Sequence, residues 1–164
     1  MIARIIALSV LCLLALAANA GVDTDIAGIW WSPQKDAKIE FFIDTSGKLA
    51  GRLIAMPVKT AANMDVHNPE EAQRQRRVLG LVIFSGFRQV TKNHWVDGKV
   101  YDPESGGTFS AQIRLEDGDR MMMRGYLGLQ LFGRTENFRR VTGAQPQWRQ
   151  PGEPTLVYMD RPNP

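Results

Sequence analysis

The chain has 164 residues, 44% of them apolar, with 20 lysines and arginines against 17 acids and a single cysteine. A formal charge of +3 over that length is not the concentrated basic face that nucleic acid binding demands. One cysteine excludes an internal disulfide framework and any cysteine-based metal or redox cluster, so the fold must rest on its apolar core.

The first twenty residues, MIARIIALSVLCLLALAANA, read as a cleavable export leader. Arg4 supplies the basic start, Ile5 to Ala18 the apolar run, and Ala18-Asn19-Ala20 a small-x-small cleavage box. An apolar run of about fourteen residues falls short of the roughly 20 that a bilayer-spanning helix needs, so no stable membrane anchor is expected. Cys12 follows Leu11 inside the apolar run, whereas a lipoprotein signal places a small residue before its cysteine. The expected mature chain begins at Gly21, is periplasmic or secreted, and loses Cys12 and Arg4 with the leader.

From Ile26 to Val141 the apolar period is mostly two, the mark of half-buried strands. Runs near 26–32, 37–44, 48–56, 79–87, 88–96, 98–102, 107–116, 119–127 and 129–141 give eight or nine of them. Ile39, Phe41 and Ile43 share one face of the second; Phe109, Ala111, Ile113 and Leu115 share one face of the seventh. Thr45-Ser46-Gly47, Asp97-Gly98, Asp102-Pro103-Glu104-Ser105-Gly106 and Asp117-Gly118 are turn signals, the Asp-Gly steps because both residues tolerate positive φ. Between the third and fourth runs lies DVHNPEEAQRQRR, residues 65–77. Asn68 suits an N-cap, Pro69 the first helical position, Glu70 and Glu71 the first turn, and Arg74, Arg76 and Arg77 the far end. One short surface helix is predicted at about 69–77.

Short loops between successive strands predict an all-β fold, an antiparallel up-and-down meander. Such a meander closes into a barrel because closure removes exposed edges, although a two-sheet sandwich fits the same runs. The expected organisation is a leader at 1–20, one barrel domain at 21–141 and a Pro-rich extended tail at 142–164, strapped over the barrel or loose. A barrel of about eight strands encloses either its own side chains or one small ligand.

Gly28-Ile29-Trp30-Trp31, Gly47-Lys48-Leu49-Ala50-Gly51-Arg52-Leu53, Asp65 with Asn68-Pro69, Leu79-Gly80-Leu81, Gly98-Lys99-Val100-Tyr101-Asp102-Pro103, and Arg124-Gly125-Tyr126 with Phe132-Gly133-Arg134-Thr135 occur in this order. Together they resemble a bacterial secreted family catalogued as domain of unknown function 2147, over nearly all of 26–141. The resemblance implies a small periplasmic protein with a lipocalin-like (calycin) barrel and no established activity. Gly28-Ile29-Trp30 is similar to the G-x-W that opens the first lipocalin strand. That likeness implies an arginine from the last strand laid across Trp30. Arg139 and Arg140 are both available, and alternation with Phe132, Arg134 and Phe138 favours Arg140.

Gly28, Trp30, Asn68, Pro69 and Arg140 are thus expected to be structural. The candidate ligand contacts are Trp30, Arg52, Asp65, His67, Tyr101, Asp102, Met122, Arg124 and Tyr126. Asp65, His67 and Asp102 fall in segments expected at one barrel mouth. Met122, Arg124 and Tyr126 alternate onto one face, where methionine suits an adaptable apolar pocket. Arg52 or Arg124 offers a fork for a carboxylate head group. A histidine with scattered acids lacks the ligand spacing of an EF-hand loop or a zinc helix, so neither metal nor cofactor is expected. Ser46, Ser85, Ser105 and Ser110 lie outside any G-x-S-x-G setting, and spacing assembles no catalytic residues. The leading expectation is an exported barrel that binds a small apolar or amphipathic molecule, such as a fatty acid. A second is an envelope protein-interaction module, its partner unknown, using an exposed apolar patch with Trp95, Trp148 or Phe87. A third is a barrel-mouth hydrolase or isomerase built on Asp65, His67 and Asp102.

Overall fold

The structure, a computed structural model, describes residues 25–126, 133–142 and 155–159. The expected leader, Phe132, Trp148 and most of the tail lie outside the described residues. The strands are β1 (Gly28–Trp31), β2 (Lys38–Ile43), β3 (Leu49–Pro57), β4 (Val82–Thr91), β5 (His94–Asp102), β6 (Gly107–Asp117), β7 (Arg120–Tyr126), β8 (Arg134–Arg140) and β9 (Leu156–Tyr158). Each of the first eight pairs with its sequence neighbour, and β1 pairs antiparallel with β8 through Trp30↔Arg140 and Trp31↔Arg139. The meander therefore closes into an eight-stranded antiparallel barrel, with β9 added outside the ring on β3.

Alternation decides which side chains enter the barrel. Trp30, Ile39, Phe41, Leu49, Leu53, Phe84, Phe87, Trp95, Ile113, Met121, Met123 and Phe138 are buried together as the core. Phe41, Phe84 and Phe138 come from three separated strands and meet across the interior, with ring centroids 5.0, 6.4 and 6.1 Å apart. Two strand glycines make room for rings. A Cβ on Gly51 would stand 3.0 Å from Phe41 and 3.1 Å from Phe84, and one on Gly98 only 2.1 Å from Phe87.

One end of the barrel is closed by Arg140. Its guanidinium lies 4.3 Å over the Trp30 ring, a cation–π contact. It also donates to the carbonyls of Ala27 (2.9 Å), Gly118 (2.5 Å) and Asp25. Trp30 is fully buried and donates its indole N–H to the Ile26 carbonyl at 3.0 Å, so it is a core residue.

Two elements differ from the sequence reading. The Asp97-Gly98 step is not a hairpin but lies within β5, where the register shifts between Trp95 and Gly98. Asp97 does take φ 62°, so the conformation that favours a turn forms a bulge instead. The β4–β5 hairpin turns at Lys92-Asn93, beyond the Thr91↔His94 pair, so the runs read as 79–87, 88–96 and 98–102 are two long strands. The second correction concerns the helix at 69–77, which shrinks to a single 3-10 turn, Glu71–Gln73. Here Asp65 N–H donates to the Arg76 carbonyl and Val78 N–H to the Asn63 carbonyl, an antiparallel bridge that a helix through Arg77 would break. The tail, expected to be extended and either strapped over the barrel or loose, supplies β9: Ala55↔Tyr158, Met56↔Val157 and Pro57↔Leu156 extend the sheet.

The fit of Gly98 against Phe87 is testable. Gly98→Ala should destabilise the barrel by about 2 kcal/mol or more in urea unfolding, the scale of overpacking a tight core. Adding Phe87→Leu should recover part of that loss. Equal stability of Gly98→Ala and wild type would show that the ring has room to move.

Candidate functional site

The end opposite Arg140 carries the larger of the clefts described at the two ends. It is bordered by the 32–37 loop, the long 58–81 connection and the 102–107 turn. Between them lies a cleft of about 770 Å³. Ala37, Leu53, Met56, Pro57, Val66 and Val78 give it apolar walls, and Asp36, Lys59, His67, Asp102 and Glu104 give it polar ones. Val66 is 57% exposed and Met64 39%, unusual openness for aliphatic side chains flanking a cavity.

The position of the 58–81 connection depends on Asp65. That side chain is fully buried, and both of its oxygens are occupied. Oδ1 accepts the Tyr101 hydroxyl at 2.5 Å. Oδ2 accepts Asn68 Nδ2 at 2.8 Å and Arg76 Nε and Nη2, each at 2.9 Å. Burial works against the charged carboxylate, but the hydrogen bonds from Tyr101, Asn68 and Arg76, with the charge of Arg76, hold its pKa below the usual carboxylate value. Burial first, and then its bond to Asp65, push the Tyr101 hydroxyl up. Arg76 also faces the Tyr101 ring, 5.8 Å from its centroid.

Asn68 belongs to the same node. Its Oδ1 accepts the Glu70 N–H at 2.8 Å, a local turn in place of a helix N-cap, and Arg74 Nε donates to its carbonyl at 2.9 Å. Pro69 follows at the surface. Gly106 packs so closely on this segment that an added Cβ would stand 1.9 Å from the His67 carbonyl oxygen. The 65–69 segment and the 102–107 turn are therefore in contact, as expected of two walls of one mouth.

The candidate residues sort as follows. His67 and Asp102 line the cleft. Asp65 and Tyr101 face each other beneath it, so Asp65 does not converge with His67 and Asp102 on a common point, as the hydrolase reading required. Asp102 accepts the Glu104 N–H at 3.0 Å and the Ser105 hydroxyl at 2.6 Å. Arg52 stands opposite Glu40 on the outer face, 3.4 Å from its carboxylate, with its guanidinium 4.9 Å over Phe42. Met122, Arg124 and Tyr126 also lie on the outer face; Met121 and Met123 are the buried residues of β7. The sequence reading chose the wrong parity, because Met121↔Leu115 and Met123↔Ile113 turn the odd positions inward. Trp95 and Phe87, expected in an exposed patch, are wholly buried in the core. Among the described residues, no group of three or more His, Cys, Asp or Glu is arranged to hold a metal ion.

The cleft residues that sequence reasoning missed include Asp36, Leu53, Lys59 and Val78. They lie on different loops and strand ends, and only closure of the barrel brings them together.

Residues 28–140 match a family described as "Uncharacterized protein conserved in bacteria (DUF2147)". The chain belongs to this family. Among solved structures it is similar to protein HP1028 of Helicobacter pylori, described as belonging to the lipocalin family. That match has 24% identity and a TM-score of 0.63 over 71% of this chain and 82% of that one, a likeness of fold. No curated protein matches the chain.

Asp65 makes an acid-dependent prediction for this DUF2147 member. A lowered folded pKa means its stabilising contribution is present above the unfolded value near ~3.9 and is lost as pH falls through the folded value. Asp65→Asn should cost about 2 kcal/mol at pH 7, and urea unfolding at about pH 3 should show that gap narrowed. A gap that does not change with pH would count against a charged Asp65.

Proposed function

We propose that this DUF2147 protein is exported and binds a small apolar or amphipathic molecule, such as a lipid fragment, in the cleft at the barrel mouth. The carrying observation is an apolar-walled cleft of about 770 Å³ above an interior already occupied by rings. A volume of that size matches a small-molecule site, and the aliphatic walls provide the driving force. The leader-like first twenty residues support export, and the lipocalin-like barrel is consistent with a small hydrophobic ligand. The ligand differs from the first expectation in position: it sits at the mouth, where Leu53, Met56, Val66 and Val78 are, and not along the barrel axis.

The neutral fluorophore N-phenyl-1-naphthylamine tests this reading. The purified protein should enhance its emission with saturable binding. Met56→Trp, which fills the cleft, and Val66→Asp, which adds charge to an exposed wall position, should each weaken binding about fivefold or more. Val66→Asp should leave folding nearly unchanged, since the side chain is mostly in water. Unchanged affinity in both variants would remove the cleft from consideration.

A further inference from the structure

The polar half of the cleft has a definite sign. Asp36 enters from the 32–37 loop, Asp102 from the end of β5 and Glu104 from the turn after it. The fixed cation among the lining residues is Lys59. Asp36 accepts the Ser32 hydroxyl at 2.8 Å, and Asp102 accepts a backbone N–H and the Ser105 hydroxyl. Those donors are neutral, and among the described residues none of the three carboxylates forms an ion pair with Lys or Arg. Their charge is therefore left for whatever occupies the space between them.

Among the described residues, the arginines considered for an anionic head are elsewhere. Arg52 is paired with Glu40 on the outer face, and Arg124 lies on the outer face of β7. Arg76 is bound to Asp65 below the cleft. Among the described lining residues, a fatty-acid carboxylate would meet three like charges with one lysine to offset them. An ammonium head would meet the reverse, beside the same aliphatic walls.

Resting on the reading that the mouth cleft binds an amphipathic molecule, we propose that the head group it selects is cationic: an alkyl amine or quaternary ammonium compound. Asp36, Asp102 and Glu104 set the sign of that selection, and Leu53, Met56, Val66 and Val78 take the tail. The carboxylates reach the cleft from separate segments and face water on one side. Their effect is a screened attraction toward a monovalent organic cation, and not a coordination shell.

Three twelve-carbon competitors, each below its critical micelle concentration, separate the possibilities: dodecyltrimethylammonium, dodecanol and dodecanoate displacing N-phenyl-1-naphthylamine. The cation should displace the probe on the order of tenfold better than the carboxylate at low ionic strength, and the preference should shrink in ~0.5 M salt. Asp36→Asn/Asp102→Asn/Glu104→Gln, which keeps the Ser32 acceptor at residue 36 and one of the two turn acceptors at residue 102, should bring the cation close to dodecanol while probe binding persists. Glu104→Gln alone, at an exposed side chain, should give about a two- to threefold loss and serves if the triple variant fails to fold. Parity of the three competitors, or preference for dodecanoate, with the probe still bound would overturn the cationic assignment and leave the cleft reading intact. Failure of the probe and of all three competitors to bind would overturn both.

Discussion

Three phenylalanine rings, Phe41, Phe84 and Phe138, need the centre of the barrel, and most other features follow from the room they take. An eight-stranded barrel has an interior just wide enough for side chains to fill it. Rings from β2, β4 and β8 meet there edge to face or tilted, with Phe87 pressed against Gly98 and both Phe41 and Phe84 against Gly51. Each glycine spares the volume of a Cβ where an aromatic edge already sits. At the lower end Arg140 of β8 lies on Trp30 of β1, and its three carbonyl acceptors tie it to the segment before β1 and to the β6–β7 turn. With the axis filled and Arg140 laid over Trp30, the larger cleft among the described residues is found at the opposite mouth.

What shapes that mouth is a buried charge. Taking a carboxylate out of water is unfavourable unless its lone pairs are met, and a pair of this kind is better understood as fixing position than as adding stability. Asp65 meets the requirement with a tyrosine from β5, an asparagine three residues on and an arginine eleven residues on. Those partners are scattered along the chain, so satisfying Asp65 folds the 58–81 connection back on itself and fastens it to the barrel. The cleft wall carrying Val66 and His67 is held by this node. The histidine itself stays exposed.

The barrel was legible in the sequence because alternation, Gly28-Ile29-Trp30 and the Asp-rich turns are local signals. Asp44 and Asp117 bear this out: each accepts hydrogen bonds from the turn that follows it. What was not legible depended on distant partners. Asp97-Gly98 has the chemistry of a hairpin turn, and only the Phe87 ring and the pairing with β6 make it a bulge. Pro69 to Arg77 has the charge order of a helix, but Asp65 takes Arg76 into a bridge that competes with it. Met121-Met122-Met123 is apolar on both faces, so no parity is written in it, and cross-strand neighbours choose Met121 and Met123 for the core. The apolar half of the cleft is unreadable for the same reason: Leu53, Met56 and Val78 look like ordinary strand residues until the ring closes.

β9 shows how the fold treats an edge that closure leaves open. β4 pairs with β3 from Leu49 to Arg52, and the segment before it continues to Leu53 through Gly80 and Leu81. β3 runs on to Pro57, so its last three residues would present unpaired backbone groups, the kind of edge that recruits foreign strands. Leu156–Tyr158 pairs with those residues. A cross-strand row on the outer face secures it, with Trp31 opposite Lys38, Lys38 opposite Ala55, and Ala55 opposite Tyr158. The small side chain of Ala55 lets the fully buried Lys38 ammonium reach across, donating to the Tyr158 hydroxyl at 2.8 Å between the Trp31 and Tyr158 rings. Met56 and Pro57 belong both to this protected extension and to the cleft wall. The pairing that covers the edge thereby also fixes the backbone of residues that line the open mouth.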